Sequence, residues 1–259
     1  MSDPSRRTAT GPNGQLSRLR TIEQRIANDG SVRIDALAGE LTVSEMTIRR
    51  DLDELEKLGV ARRVRGGAVA IGPEPFAERH RTNARAKGII ANKLADVVPD
   101  RGTVAFDAST TVHRYASSID SARDLVVVTN GVDTFAAFGS TPGVTATLTG
   151  GVREPRTGSL VGSVAAKGAE DFLFDVFVCS AAAIDADLGS SEASIAEADV
   201  KRALSATSSR VVLAVDHSKL DTRGQARLFR PHEIDLLITD LDRSDTRLDA
   251  YRATIREIR

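Results

Sequence analysis

The sequence predicts an α/β protein in two parts: short helices closed by a β-hairpin in front, and a mostly parallel α/β layer behind. Three observations carry this. Apolar stripes at helical spacing run through residues 16–58 and end in the alternating, glycine-turned "VARRVRGGAVA" of residues 60–70. Six β-branched apolar runs follow between residues 103 and 240, most of them separated by helical-looking stretches. Several of those runs close on a polar residue: Asp107, Asn130, Asp216 and Asp240.

The 259 residues suffice for about two domains. No apolar run approaches the roughly 20 residues a membrane span needs. The opening "MSDPSRRTATGPNGQ" has no apolar signal-peptide core and reads as a disordered tail over residues 1–15. A cytoplasmic protein is expected. The single cysteine, Cys179, excludes an intramolecular disulfide and a multi-cysteine zinc site; in its apolar run it reads as a small buried hydrophobe. Residues 1–90 carry 16 Lys/Arg against 12 Asp/Glu, and residues 91–259 carry 19 against 24. That asymmetry is compatible with a polyanion at the front and does not demand one.

Residues 16–71 form the front domain. Leu19, Ile22 and Ile26 repeat at helical spacing until "NDG" at 28–30 stops the helix. Ile34, Leu37, Ala38 and Leu41 make a second stripe, and Ile48, Leu52 and Leu55 a third. Val60, Arg62 and Val64 alternate, the chain turns at Gly66-Gly67, and Ala68 and Val69 resume: a hairpin. Residues 72–86 mix Pro, Gly and charge and read as the connection, entering a helix near Phe76. Residues 87–259 hold the strands "TVAFD" (103–107), "LVVVTN" (125–130), "VTATLTG" (144–150), "VFVCSA" (176–181), "VVLAVD" (211–216) and "LLITD" (236–240). Continuous apolar strands alternating with helices imply a parallel sheet covered on both faces. Such sheets bind ligands beyond the carboxyl ends of their strands.

The third stripe raises a question. At 100° per residue, Leu52 and Leu55 fall within about 40° of Ile48, while Met46 and Arg50 point away and Thr47 and Arg49 flank them. Glu45–Arg49, Arg49–Asp53 and Arg50–Glu54 at i,i+4 suit a merely solvated face. The surroundings favour another reading. Helix, short turn, helix and a basic hairpin make the layout of a winged helix-turn-helix. Ser44 caps the second helix, whose N-terminal end then enters the major groove. Arginine offers paired donors to guanine or phosphate. The candidate DNA-reading residues are Ser44, Glu45, Met46, Thr47, Arg49 and Arg50, with Arg62, Arg63 and Arg65 from the hairpin. Asp51, Asp53, Glu54 and Glu56 would repel DNA, so they must lie beyond the groove or pair internally.

The stretch "VRIDALAGELTVSEMTIRRDLDELEKLGVARRVRGGAVA" strongly resembles the N-terminal domain of DeoR-type bacterial transcriptional repressors, through the pattern VS..TIRRDL..LE..G...R..GGA. The resemblance places the helix-turn-helix over Val32 to Asp51 and implies binding to a double-stranded operator. It continues through "DASTT" (107–111), similar to the family's D-x-G-T-T, and "VVTN" (127–130), "TGG" (149–151), "EADVK" (197–201), "DHSK" (216–219) and "IDLLITD" (234–240). It implies a sensor domain similar in fold to sugar-phosphate isomerases, binding a phosphorylated sugar or related metabolite. The residues agree in outline. Ser109, Thr110 and Thr111 offer hydroxyls after a strand. Gly150 and Gly151 permit close backbone approach. Arg153, Lys201 and Lys219 are candidate cations, Asp107 and Asn130 candidate partners of sugar hydroxyls, and Asp216 a further effector-binding candidate. Two positions depart from the family: Ser109 stands where glycine is usual, and "AAAID" (181–185) lacks a glycine before Ile-Asp. A Cβ there narrows the space beside a ligand.

Two other functions remain open at this stage. A sugar-phosphate isomerase or deaminase would need paired carboxylates; Asp107, Asp185, Glu192, Glu197 and Asp216 are present but no spacing singles out a pair. His80, His113, His217 and His232 show no metal or nucleophile–base spacing and read as solvated or turn residues. No metal and no cofactor is expected, and no enzyme. Alternatively the α/β domain only oligomerises. The reading preferred is a homodimeric or homotetrameric repressor released by a small-molecule effector.

Overall fold

A computed structural model describes residues 12–58, 60–70 and 75–259. The chain divides into two compact units, Met1–Pro75 and Phe76–Arg259. No helix among the described residues is long and apolar enough to cross a membrane.

The front unit runs α1 (Pro12–Asp29), β1 (Ser31–Arg33), α2 (Ile34–Glu40), α3 (Glu45–Lys57), β2 (Ala61–Val64) and β3 (Gly67–Ala70). The first eleven residues of the expected tail lie outside the described residues. Its last four do not form a tail: Pro12 opens α1, where a proline's missing N–H is harmless. The three stripes meet as expected, with Ile22, Ile26, Ile34, Leu37, Ile48, Leu52 and Leu55 in one core. The hairpin is larger than the sequence suggests. β1 pairs antiparallel with β3, making a three-stranded wing in the order β1-β3-β2. Gly67 permits this, because a Cβ there would stand 2.0 Å from Val32 O.

The second unit begins with two helices, α4 (Phe76–Arg81) and α5 (Ala84–Ala95). Residues 72–74 of the expected connection lie outside the described residues, and the rest of it is largely helical. The sheet strands are β4 (Arg101–Phe106), β5 (Asp124–Thr129), β6 (Val144–Leu148), β9 (Val176–Cys179), β12 (Val211–Ala214) and β14 (Leu236–Ile238). They correspond to the six apolar runs. Every pairing is parallel, in the order β14-β12-β9-β4-β5-β6. Between them lie α6 (Thr110–Ala116), α7 (Val132–Ala137), the hairpin β7 (Val152–Arg153) and β8 (Leu160–Val161), α8 (Ser163–Glu170), and α9 (Ile195–Ala206). A small antiparallel sheet joins β10 (Ala183–Asp185), β11 (Gly189–Glu192) and β13 (Ala226–Arg227), and α10 (Asp249–Arg252) closes the chain.

Alternate strand residues face opposite layers. Val104, Phe106, Val178, Val212 and Ile238 pack with Ile90 and Leu94 of α5 and Val112 and Tyr115 of α6. Ala105, Phe177, Cys179, Leu213 and Leu237 pack with Ala165 of α8 and Val200 and Leu204 of α9. Both faces are covered, which is why the strands read as unbroken apolar runs. The strand order reverses between β4 and β9, so the crevice at their carboxyl ends is the topological switch point.

Candidate functional site

In the front unit, Ser44 Oγ accepts from Thr47 N at 3.1 Å and meets Thr47 Oγ1 at 2.9 Å. That cap fixes where α3 begins. Met46 is 59% exposed, and Arg49 and Arg50 are exposed beside it. Arg49 Nη2 lies 3.3 Å from Glu45 Oε2, an exposed pair worth little. Arg50 makes no hydrogen bond or ion pair among the described residues. The other two i,i+4 pairs do not form, because the acids are engaged elsewhere. Asp53 pairs with Arg63 Nε at 3.1 Å and Glu54 with Lys57 at 3.8 Å. Glu56 Oε1 accepts from Arg63 N at 2.7 Å. Asp51, 1% exposed, is gripped by both Nε and Nη2 of Arg18 on α1, the latter at 3.0 Å. Asp51, Asp53 and Glu56 are thus engaged inside the unit, and Arg50 is left unpartnered among the described residues.

Arg63 departs from the expected role. Besides Asp53, its Nη1 donates to Gly67 O at 3.1 Å, so it fastens the wing to α3 instead of reaching outward. Arg62 and Arg65 are exposed and have no partner among the described residues. An open groove of about 530 Å³ is lined by Arg33, Glu45, Arg49, Val64, Arg65 and Gly66, among others. It puts the start of α3 and the tip of the wing on one surface.

In the second unit, the β4–β9 crevice is filled by the protein itself. Asp107, fully buried, accepts from Ser109 N at 3.0 Å and Ser180 N at 2.9 Å. Lys201 of α9 places Nζ 2.8 Å from Asp107 Oδ2, 2.5 Å from Glu192 Oε1 and 2.8 Å from Ser180 O. Three donors meet three acceptors, and none is left for a ligand. Burial by itself pushes the Lys201 ammonium down, but Asp107 and Glu192 override it and hold the group well above the ordinary lysine value. Burial pushes the Glu192 carboxyl up, with Lys201 opposing. Asp107 and Lys201, expected to meet the effector directly, are instead the internal plug of the switch point. Glu197 likewise accepts from Thr157 Oγ1 at 3.0 Å and from the Ser159 hydroxyl at 2.5 Å.

The remaining expected residues divide. Ser109 takes φ −77° and accepts from Val112 N at 3.2 Å, capping α6, so its replacement of glycine strains nothing. Thr110 and Thr111 are buried beside it. Asn130 donates through Nδ2 to Leu160 O at 3.1 Å, but its buried Oδ1 has no partner. Asp216 Oδ1 accepts from Ser218 N at 3.1 Å and Asn83 Nδ2 at 2.9 Å. Lys219 is half-buried and its ammonium makes no hydrogen bond or ion pair among the described residues. Arg153 stands exposed on β7, outside this network. Gly151 does allow a close approach, but to the chain itself: a Cβ would stand 2.7 Å from Val161 O. Gly150 contributes the adjoining turn.

Two groups were not foreseen. The segment Phe76–Lys87 lies across the strand ends: Phe76 N donates to Arg156 O at 2.8 Å, Thr110 Oγ1 to Arg79 O at 3.4 Å, and Asn83 Nδ2 to Ser218 Oγ at 3.1 Å. Lys87, 6% exposed, donates through Nζ to Arg79 O and to Thr82 O, the latter at 2.8 Å. Its position was visible in principle, since "AKGIIANKL" sets Lys87 three and four residues before Ile90 and Ala91 on the buried stripe. His80 and His113 also prove to be half-buried rather than solvated. Their rings, 5.4 Å apart, pack with Phe76, and burial pushes both imidazoles below the ordinary histidine value. His217 alone is exposed and bound, Nδ1 to Asp240 Oδ2 at 2.8 Å. Among the described residues, no group of three or more His, Cys, Asp or Glu side chains is placed to hold a metal ion.

Residues 18–74 match the DeoR-like helix-turn-helix domain and residues 82–241 the DeoR C terminal sensor domain. Together they define a transcription regulator with a DNA-binding head and a sensor. The HTH-type transcriptional regulator GolR of Listeria innocua is 30% identical over 87% of this chain and 90% of its own. The glycerol-3-phosphate regulon repressor of Escherichia coli is 28% identical over 87% of this chain and 91% of its own. The chain belongs to the DeoR family of transcriptional regulators. Among solved structures, ribose 5-phosphate isomerase from Plasmodium falciparum is 20% identical over 52% of each chain, with a TM-score of 0.37.

Proposed function

We propose that this regulator is a homo-oligomeric, cytoplasmic repressor of carbohydrate-metabolism genes, released from its operator by a phosphorylated sugar or related metabolite, and not an enzyme. The observation that carries the reading is the division of α3. Asp51 and Asp53 are paired with Arg18 and Arg63, while Arg49 and Arg50 stay exposed near a capped N-terminus. Base-edge recognition falls to Met46, Thr47, Arg49 and Arg50; Ser44 and Glu45 orient the turn, and Arg62 and Arg65 supply phosphate contacts. Two copies would set two α3 helices on half-sites of a palindrome-like operator.

The effector half is supported by groups gathered at the strand ends: the Thr110 and Thr111 hydroxyls and, without partners among the described residues, Asn130 Oδ1 and the Lys219 ammonium. The glycerol-3-phosphate regulon repressor carries a related assignment in its name. A second reading, in which the α/β unit only oligomerises, draws on the saturation of Asp107 and Lys201.

The operator is obtained by selection from random duplexes. Arg50→Ala should then weaken operator binding by about 1–3 kcal/mol while sparing random DNA. Equal loss on both would move Arg50 to a phosphate contact. Sugar phosphates are titrated against the complex and in thermal melts. Release together with stabilisation supports the effector reading, and no response to any of them refutes it in favour of the oligomeriser.

A further inference from the structure

One main-chain oxygen in the sensor unit occupies an unusual position. Arg79 O accepts from a buried ammonium, Lys87 Nζ, and from the Thr110 hydroxyl at 3.4 Å. Thr110 is the first residue of α6, directly after the loop that follows β4, where the effector is expected. Among the described residues Lys87 forms no ion pair. Its ammonium is hydrogen-bonded to carbonyl oxygens, although buried lysines are almost always paired with an acid. Burial pushes its ammonium down to about 8, with Asp216 opposing and Lys219, Arg79 and Arg114 adding to the depression. Among the groups acting on Lys87, cations outnumber carboxylates.

We propose that Lys87 is the anion-reading residue of the effector site, that Arg79 O occupies the seat of an effector oxyanion oxygen, and that α4 is a strap displaced when a phosphate-type anion enters. This rests on the reading that the α/β unit binds an anionic effector. The exchange runs in the right direction, because an oxyanion brings a full opposite charge to an ammonium that otherwise meets carbonyl dipoles. The displaced segment begins at Phe76, directly after Pro75, the last residue of the front unit. Its other end is a latch. Asn83 sits at φ +54° and is held through Nδ2 by Asp216 Oδ1 at 2.9 Å and Ser218 Oγ at 3.1 Å. Asparagine is among the few residues that accept this backbone conformation. Its carbonyl accepts from Lys87 N at 3.0 Å, a main-chain bond that a side-chain substitution leaves in place.

The test is amide hydrogen exchange on the full chain, with inorganic phosphate as the probe and operator binding measured on the same samples. Saturating phosphate should raise exchange of the residue 76–83 amides while the sheet amides stay protected. Asn83→Ala removes two hydrogen bonds and should raise that exchange by about tenfold without phosphate. It should also shift operator affinity toward the phosphate-bound value, with phosphate still binding. Lys87→Met should abolish the phosphate response. Should Lys87→Met fail to fold, wild type with phosphate and Asn83→Ala carry the test alone. The proposal is overturned if strap exchange ignores both phosphate and Asn83→Ala, or if folded Lys87→Met binds phosphate as wild type does. If sugar phosphates release the operator while strap exchange stays constant, the strap fails and the effector reading stands. If phosphate frees the strap while every phosphorylated sugar leaves the operator occupied, the strap stands and the effector reading fails.

Discussion

Replacing Lys201 by methionine separates two roles that the sequence alone confuses. As an effector cation, Lys201 would be dispensable for folding. As observed, its ammonium joins Asp107, Glu192 and Ser180 O at 2.5–2.8 Å, inside a site that is 6% exposed or less at both carboxylates. Methionine keeps the length and apolar stem but leaves two buried carboxylates unpaired. Removing one partner of a buried pair destabilises by about 3–5 kcal/mol. Asp107 retains the Ser109 and Ser180 amides, whereas Glu192 loses its ammonium partner, so the lower end of that range applies. The pH dependence follows. Burial already raises the Glu192 carboxyl, and loss of Lys201 raises it further. A raised carboxyl binds a proton more readily folded than unfolded, so acidification recovers stability. Urea unfolding of wild type and Lys201→Met at pH 8 and pH 5.5 should show the large loss at pH 8 and a smaller one at pH 5.5. A variant as stable as wild type at pH 8 that has lost its effector response would refute the plug and restore Lys201 as a ligand contact.

Other outcomes follow from the same geometry. Arg63→Ala should lower thermal stability of the front unit by about 1–2 kcal/mol, through its lost bonds to Asp53 and Gly67 O, and should disturb operator affinity less than Arg50→Ala does. Thr42 takes φ +52° in the turn between α2 and α3, so Thr42→Asn should stabilise by about 1 kcal/mol in chemical denaturation. His80 and His113 have depressed values when folded, so the unfolded chain binds more protons as the pH falls below about 6.5. Melting temperature should therefore drop from pH 7 to pH 5.5, and less steeply in His113→Phe.

Long-range partners mark where sequence reading stopped. The six sheet strands were legible because Val, Ile and Leu occupy both faces without interruption. The wheel placed Arg49 and Arg50 correctly because Ile48, Leu52 and Leu55 leave one possible buried side. β1 was missed because three residues, Ser31–Arg33, become a strand only opposite Val69, Ala68 and Gly67. β11 reads "GSSE", which has no strand preference of its own. Arg63 was misplaced because alternation shows that neighbours face opposite ways, but not which face turns toward α3. Lys201 was misplaced because Glu192, Ser180 and Asp107 stand 9, 21 and 94 positions away along the chain. Local propensity carries no trace of such partners, whereas the family's motif marks the residues without their roles.

The grip on α4 falls on carbonyl oxygens of Arg79 and Thr82, atoms that every amino acid supplies. Alanine substitutions at residues 79 and 82 would therefore leave those two carbonyl acceptors in place. An amide-to-ester exchange there, or an alteration of the lysine beneath, would expose the grip.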